Sequence, residues 1–328
     1  MAALEAAWAD ARARGCEKFV CLGDLTGYGD EAVACVELAR KTFDVCLMGN
    51  HDSACCGLGS SRFVGGCERG IILRMKYAVM SDVHSNPAAL KVALADAKEL
   101  GCERFVLLGD ITGYGYDVKT ALNLARRSFQ VVLQGNHDSA CIGNEPDWKL
   151  ELIRNYDIDV AQREVLSARA KGWLKGLPHL HVESGAAFAH DNFTRPGSWG
   201  YVIDASEAMA SFRGQSEPLL FCGHTHVAGA WEKTSGGKIR IARQFKNPAA
   251  APELTELELA PGSRYIVNVG SVGYPRNDLC STYCIWEPDE KRVSFRRLPF
   301  NFKDYIEKML ESKVGLPDWL LDLLMRVR

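Results

Sequence analysis

Residues 3–55 and 89–141 are two copies of one segment, aligned without a gap at an offset of 86 and identical at 31 of 53 positions. The stretch ALEAAWADARARGCEKFVCLGDLTGYG returns as ALKVALADAKELGCERFVLLGDITGYG. A repeat of this kind has to be read before any element is assigned, because each copy carries the same supersecondary unit. The copies are not equivalent. Only the second is preceded by a strand-like segment, KYAVMSDVHSN, so the first lacks an opening strand. Between them, GLGSSRFVGGCERG resists both helix and strand through its glycines and serines, and reads as a linker. The expected organisation is a truncated, catalytically incomplete copy of the core (1–56), a Gly/Ser-rich linker (57–74) and a complete domain (75–328). Met75-Lys76-Tyr77 and the apolar run after it read like the start of an independent protein.

Within the second copy the pattern predicts a strand at 77–82, a helix at 87–100, a strand at 104–109, a helix at 117–127 and a strand at 130–135. This βαβαβ alternation favours strands buried between helices, with ligand-binding loops at the carboxyl ends of the strands. Asp82, Asp110 and Asn136 stand at those ends. Beyond 150 the sequence predicts a helical stretch through about Trp173, short strands at 181–190 and 218–223, and further strands from about 238 to 296, which implies a second sheet.

Five polar clusters each follow an apolar run: Asp82-Val83-His84, Gly109-Asp110, Gly135-Asn136-His137-Asp138, His190, and Gly223-His224-Thr225-His226. In extended backbone, residues i and i+2 point the same way, so Asp82 with His84, and His224 with His226, present paired groups in one direction. A single histidine at a strand end is usually structural. Here seven of eight histidines lie in the second part and five of those seven occupy these clusters, an arrangement chance does not readily give. Mixed carboxylate, imidazole and amide donors suit Mn, Fe, Zn or Ni better than calcium. The remaining pair, His179 and His181, read as strand or turn residues.

Composition excludes several classes of function. Lys plus Arg total 39 against 41 for Asp plus Glu, so no net basic field exists to hold nucleic acid or an anionic membrane nonspecifically. Nor does the charge balance suggest the basic, aromatic-lined groove of a nuclease on long nucleic acid. The beginning, MAALEAAWADARARG, has no apolar signal core, and no uncharged stretch approaches bilayer length; a cytoplasmic protein is expected. The twelve cysteines include no CxxC pair and are expected to be free, as at Cys21, Cys46 and Cys222. Cys55, Cys56 and Cys67 lie close together in a Gly-rich stretch, where metal binding or oxidation is the alternative to a bland role.

Taken together, DVH, GDITGYG, GNHD, the strand ending in His190, and GHTH resemble the calcineurin-like metallophosphoesterase superfamily. SDVHSNPAAL, GDITGYG and VNVGSVGYPRND are similar to its bacterial and archaeal phosphodiesterase branch, often labelled diadenosine-tetraphosphatase-like. The likeness covers about residues 76–300, and LESKVGLPDWLLDLL is similar to the family's C-terminal segment. It implies an α/β fold, a four-layer α/β/β/α sandwich with two mixed sheets, here preceded by the partial repeat. It also implies two divalent transition metal ions: one on Asp82, His84 and His226, the other on Asn136, His190 and His224, with Asp110 bridging. A metal-bridging water would attack a phosphodiester or phosphomonoester and His137 would protonate the leaving alkoxide. Asp138 is the expected carboxylate partner of that imidazole.

The third-histidine segment reads AHDNFTRP where relatives usually have His followed by small residues, which leaves the phosphate's neighbours open. Arg195 and Arg276 are candidates for nonbridging oxygens, since guanidinium pairs bidentately with phosphate, or else surface ion-pair residues. Tyr114, between Gly113 and Gly115, either stacks on a substrate ring or packs. The expected partner is a small phosphorylated or nucleotide-like substrate. Alternatives are a non-catalytic binding scaffold on the same fold, which the intact ligand set argues against, and a phosphatase of phosphoproteins or dinucleoside polyphosphates. The first copy keeps Asp24, Asn50 and His51 at positions matching Asp110, Asn136 and His137 but lacks the other ligands. It is expected to be dispensable, although a homo-oligomer by domain swapping through the duplicated segment is conceivable.

Overall fold

The computed structural model describes residues 2–16, 19–21, 23–26, 31–43, 45–46, 51–52, 75–144, 156–245, 252–276 and 280–311. Asn50, Cys55, Cys56, Cys67, the expected linker and most of the C-terminal segment lie outside them. The chain divides into two units, Met1–Arg74 and Met75–Arg328. In the smaller unit α1 (Ala2–Ala13), β1 (Val20–Cys21), α2 (Ala32–Thr42) and β2 (Val45–Cys46) follow in order, and β1 pairs with β2 in parallel.

The larger unit begins with β3 (Tyr77–Met80), α3 (Pro87–Glu99), β4 (Arg104–Leu107), α4 (Val118–Ser128), β5 (Val131–Val132) and α5 (Asn136–Cys141). Local chemistry starts each long helix. The Asn86 side chain accepts from Ala89 N with Pro87 in the first turn, and Asp117 accepts from Thr120 N. Next come α6 (Tyr156–Val165), α7 (Ala168–Lys175), β6 (Leu180–Glu183), β7 (Ala186–Ala189), α8 (Ala205–Gly214), β8 (Leu219–Cys222), β9 (Gly229–Lys233) and β10 (Ile239–Gln244). The unit closes with β11 (Glu253–Glu258), β12 (Arg264–Asn268), β13 (Cys280–Glu287), β14 (Arg292–Pro299) and α9 (Phe302–Glu311). The run predicted as a strand over 181–190 is a hairpin, because Ser184 and Gly185 both take positive φ and turn the chain back.

Two six-stranded mixed sheets result, in orders β11-β14-β13-β3-β4-β5 and β10-β9-β12-β8-β7-β6. Parallel pairing is confined to β3-β4-β5 in one and β12-β8-β7 in the other. Side-chain alternation sets the layers. Tyr77, Val79, Val106 and Leu108 join Phe188, Phe221 and Val267 of the other sheet in one buried cluster. The alternate residues Ala78, Met80, Phe105 and Leu107 pack with Leu90, Leu94 and Leu122 of the helices. On the opposite side, Ala187, Ala189 and Leu220 pack against Ala208 and Phe212 of α8. Helix, sheet, sheet and helix are therefore stacked, each fully buried large apolar side chain contributing about 1.5–3 kcal/mol. None of the described helices is long and apolar enough to cross a membrane.

Strands β3 and β4 stop two residues short of the sequence expectation, β4 where Gly109 takes φ 118°. Asp82 and Asp110 hold φ of 56° and 52°, left-handed values that end an extended run and swing the carboxylates inward.

Candidate metal centre

The residues singled out by sequence come from the carboxyl ends of strands in both sheets. Asp82 and His84 follow β3, Asp110 follows β4, Asn136 opens α5 after β5, His190 follows β7, and His224 and His226 follow β8. All seven are buried. Asp82, His84, Asp110, His224 and His226 all have positive φ, between 47° and 65°. Left-handed backbone at non-glycine residues costs about 1–3 kcal/mol each where the surroundings do not relieve it, so its concentration here marks a functional arrangement. Close packing of loops enforces it. A Cβ on Gly109, at φ 118°, would come within 2.5 Å of Gly135 N, and one on Gly223 within 2.5 Å of Asp82 Oδ2.

The hydrogen bonds fix which atoms face inward. His84 Nδ1 donates to Thr112 O at 3.0 Å and His226 Nδ1 to Tyr274 O at 2.6 Å, since a carbonyl can only accept. Both Nε2 atoms are then bare lone pairs in the neutral rings, and they lie 3.1 Å apart. Asp82 Oδ1, another acceptor, is 3.1 Å from His226 Nε2 and has no hydrogen bond. In the second cluster the same rule fixes His224. His224 Nε2 donates to Trp199 O at 3.0 Å, leaving its Nδ1 facing His190 Nε2 at 3.2 Å. His190 Nε2 also lies 3.1 Å from Asn136 Oδ1 and 3.3 Å from Asp110 Oδ2, which likewise lacks a hydrogen bond. Buried acceptors converging on one another without donors are strongly unfavourable unless a cation lies among them. Among the described residues two groups could hold a cation, Asp82, His84, Asp110 and His226, and Asp110, His190 and His224, with each group's ligand atoms within 4.8 Å of one another.

The electrostatics agree. Burial pushes His84 and His224 down to about 3, so both are neutral imidazoles, the form able to ligate a cation. Burial opposes the charge on His190, yet Asp110 outweighs it and raises that imidazole to about 9. The space beside Asp110 thus favours positive charge.

Comparison with known proteins decides what kind of centre this is: residues 75–291 match the calcineurin-like phosphoesterase superfamily domain. The chain belongs to that superfamily. It is similar to a metallophosphoesterase from Sphaerobacter thermophilus, with 30% identity and a TM-score of 0.61 over 76% of this chain and 97% of that one. An uncharacterised protein of Methanocaldococcus jannaschii is 26% identical over 257 residues, 76% of this chain and 97% of its own length. The chain is a metal-dependent phosphoester hydrolase, with resemblance to both bacterial and archaeal relatives.

Around the phosphoesterase ligands the structure corrects one expectation. Asp138 does not hold His137. As the third residue of α5 it folds back on the helix start, Oδ2 accepting from Gly135 N at 3.0 Å and Oδ1 from Ile111 N and Thr112 N, both at 3.0 Å. Asp159 of α6 is the partner instead, its Oδ2 2.9 Å from His137 Nδ1 and fully buried. Burial opposes protonation of His137, but Asp159 raises it well above the ordinary histidine range. Three residues on, Gln162 accepts from Gly113 N at 2.9 Å and donates to Gly115 O at 2.8 Å. Arg163 donates to Ala140 O and Cys141 O, carbonyls at the end of α5. Acid, amide and base at i, i+3 and i+4 stand in DIDVAQR as one helical face; that this face is buried against the catalytic loop has no local signal.

The other predicted contacts separate. Tyr114 is buried, its ring 4.4 Å from that of His84, 4.6 Å from His137 and 5.0 Å from Tyr274, which is the packing alternative. Arg276 is exposed beside the centre, its backbone N 3.5 Å from His226 O. Arg195 is exposed on the loop after His190, where its N–H reaches Asn192 Oδ1. In that unusual loop Asp191 accepts from Gly197 N at 3.1 Å and Trp199 N at 2.6 Å, placing the Trp199 carbonyl under His224. His181 pairs with Glu183 at 2.9 Å within β6, and the His179 ring packs on Trp199, both apart from the ligand clusters.

Proposed function

We propose that the chain hydrolyses a small phosphodiester or phosphomonoester at a dinuclear centre of divalent transition ions, Mn, Fe, Zn or Ni. Asp82, His84 and His226 would hold one ion, Asn136, His190 and His224 the other, and Asp110 would be shared. The observation that carries this reading is the pair of bare Nε2 atoms of His84 and His226 at 3.1 Å, with the bare Nδ1 of His224 turned toward His190 Nε2 at 3.2 Å in the second cluster. When bound, the ions supply an acidified water and neutralise charge on the attacking and leaving oxygens. His137, with Nδ1 committed to Asp159, has Nε2 to protonate the leaving alkoxide. Asp159 fixes that tautomer and stabilises the imidazolium, and Gln162 steadies the glycine loop carrying Tyr114. Arg276 is the cation available to nonbridging phosphate oxygens. Cys16, Cys21, Cys35, Cys102, Cys141, Cys222, Cys280 and Cys284 are free thiols, which supports a cytoplasmic setting.

The test is metal-stripped protein titrated with Mn, Ni, Zn or Mg while bound metal and the hydrolysis of mono- and diester model substrates are followed. Two equivalents bound with parallel recovery of turnover is the expected result. Saturation of activity at one equivalent, or full turnover in excess chelator, would end the dinuclear reading.

A further inference from the structure

We infer that a groove leading away from the metal centre receives the ester group that stays on phosphorus in a phosphodiester, and that this group is flat and apolar. The inference rests on the phosphoesterase reading above and narrows it to a substrate class. The groove has a volume of about 480 Å³, the scale of a small-molecule site, and is walled by Tyr201, Ile203, Val227, Trp231 and Ile241. Its near rim is the metal-binding loop itself. Thr225, between His224 and His226, lines it, and the Tyr201 ring lies parallel to the His224 ring at 4.2 Å.

Exposure is concentrated here. Eight large apolar side chains of residues 75–328 are strongly exposed among those described, and four of them, Tyr201, Ile203, Val227 and Ile241, line this groove. Such a patch contiguous with a catalytic centre marks a surface that is covered when ligand binds. A phosphomonoester would end at the metals and leave it empty, whereas a diester carries a second organic group into it.

Charge agrees with a diester. Among the described residues no carboxylate lines the groove, and its charged residues are Arg243 and Arg276. Arg243 is engaged with the Glu256 carbonyl at 2.8 Å. The Arg276 guanidinium has no hydrogen bond or ion pair among the described residues and is free to pair with the charged phosphate oxygen, and the second guanidinium, Arg243, adds to a groove that favours an anionic ester. His137 is not among the lining residues, which places the departing alcohol elsewhere and the retained ester in the groove. Water loses a proton to solvent as its oxygen forms the new P–O bond, the bond to the departing oxygen breaks, that oxygen takes the proton from His137, and His137 is reprotonated from solvent. The product is a monoester still bearing the flat group.

The experiment compares phenyl p-nitrophenyl phosphate, methyl p-nitrophenyl phosphate and p-nitrophenyl phosphate on the metal-loaded full chain, all releasing p-nitrophenol. Wild type should favour the phenyl over the methyl diester by about tenfold in kcat/KM, the effect of partly burying a ring. Ile203→Glu and Ile241→Glu, at sites 66% and 52% exposed where folding tolerates charge, should bring that ratio close to one. Val182→Glu, on the opposite edge strand, should leave it unchanged. Equal use of the phenyl and methyl diesters by wild type, or an unchanged ratio in both groove variants, would overturn the inference. So would a change of oligomeric state in those variants at constant ratio, which would make the groove a contact between copies. Absence of turnover on all three substrates with every metal would sink the phosphoesterase reading itself, a distinguishable result.

Discussion

The two copies of the repeat reach the same local geometry and different chemical standing. Asp24 holds φ 55° after Gly23 at 105°, as Asp110 holds 52° after Gly109 at 118°. His51 N donates to Asp24 Oδ1 at 3.0 Å, and His137 N to Asp110 Oδ1 at 2.9 Å. Thr26 N reaches Asp52 at 2.8 Å, and Thr112 N reaches Asp138 at 3.0 Å. Even the strand register matches, Val20 on Val45 and Val106 on Val131. The helices do not match: α1 buries no residue, whereas α3 buries six. A short segment thus suffices to set a strained aspartate and its backbone hydrogen bonds. For the second copy, packing and ligand supply come from β3, β7, β8 and β13 of its own unit.

The comparison is open to attack at matched positions. Asp110→Asn should lower turnover by about 10³-fold or more, the scale of losing an electrostatic group at a reacting centre, and reduce metal content, while Asp24→Asn should alter neither. Loss of rate on Asp24→Asn would show that the first copy contributes to the chemistry. His137→Ala should retain metal and lose about 10²–10⁴-fold, most for poor leaving groups, and His51→Ala should lose nothing. Asp159→Asn should lose about 10–100-fold with metal retained, whereas an equal loss at Asp138→Asn with intact folding would return the partner role to Asp138.

Stability offers a gentler contrast, because Asp10 and Asp96 are equivalent in the repeat. Asp96 accepts from Arg296 at 2.6 Å and from Tyr283 at 2.6 Å, with a side chain only 16% exposed; Asp10 pairs with Arg14 on the surface at 62% exposure. Asp96→Ala should destabilise the larger unit by about 2–4 kcal/mol in urea titration, and Asp10→Ala its own unit by less than about 0.5 kcal/mol. Burial works to raise the Asp96 carboxyl, but Arg296 and Tyr283 outweigh it and hold it below its usual value. A depressed folded value means the contribution is complete above the unfolded pKa and is lost as pH falls through the folded one. The gap between wild type and Asp96→Ala should therefore narrow below about pH 4. The smallest effect is expected from removing the first copy altogether. A chain of residues 75–328 should keep metal content, oligomeric state and rate within about twofold, a margin well under 1 kcal/mol; an inactive or differently assembled product would make the duplicated segment part of the working domain.

Much of the fold and most of the metal centre are legible in the amino-acid order. Alternating apolar runs ending in Asp82, Asp110, Asn136, His190 and His224 determine strands with donors at their carboxyl ends, because side-chain period and turn chemistry act over a few residues. Helix starts at Asn86 and Asp117 are local for the same reason. The sequence does not by itself say which strands become neighbours within a sheet or face each other across the two sheets, and it is this that brings His190 against His224 in one sheet and His84 against His226 between them. It also hides which of two acids reaches His137. Asp138 is adjacent in sequence but is drawn to its own helix start, while Asp159 arrives from a helix whose polar face is indistinguishable from a solvated one until it is packed. Only tertiary structure decides such cases, since burial and the direction of a side chain depend on residues that are far away along the chain.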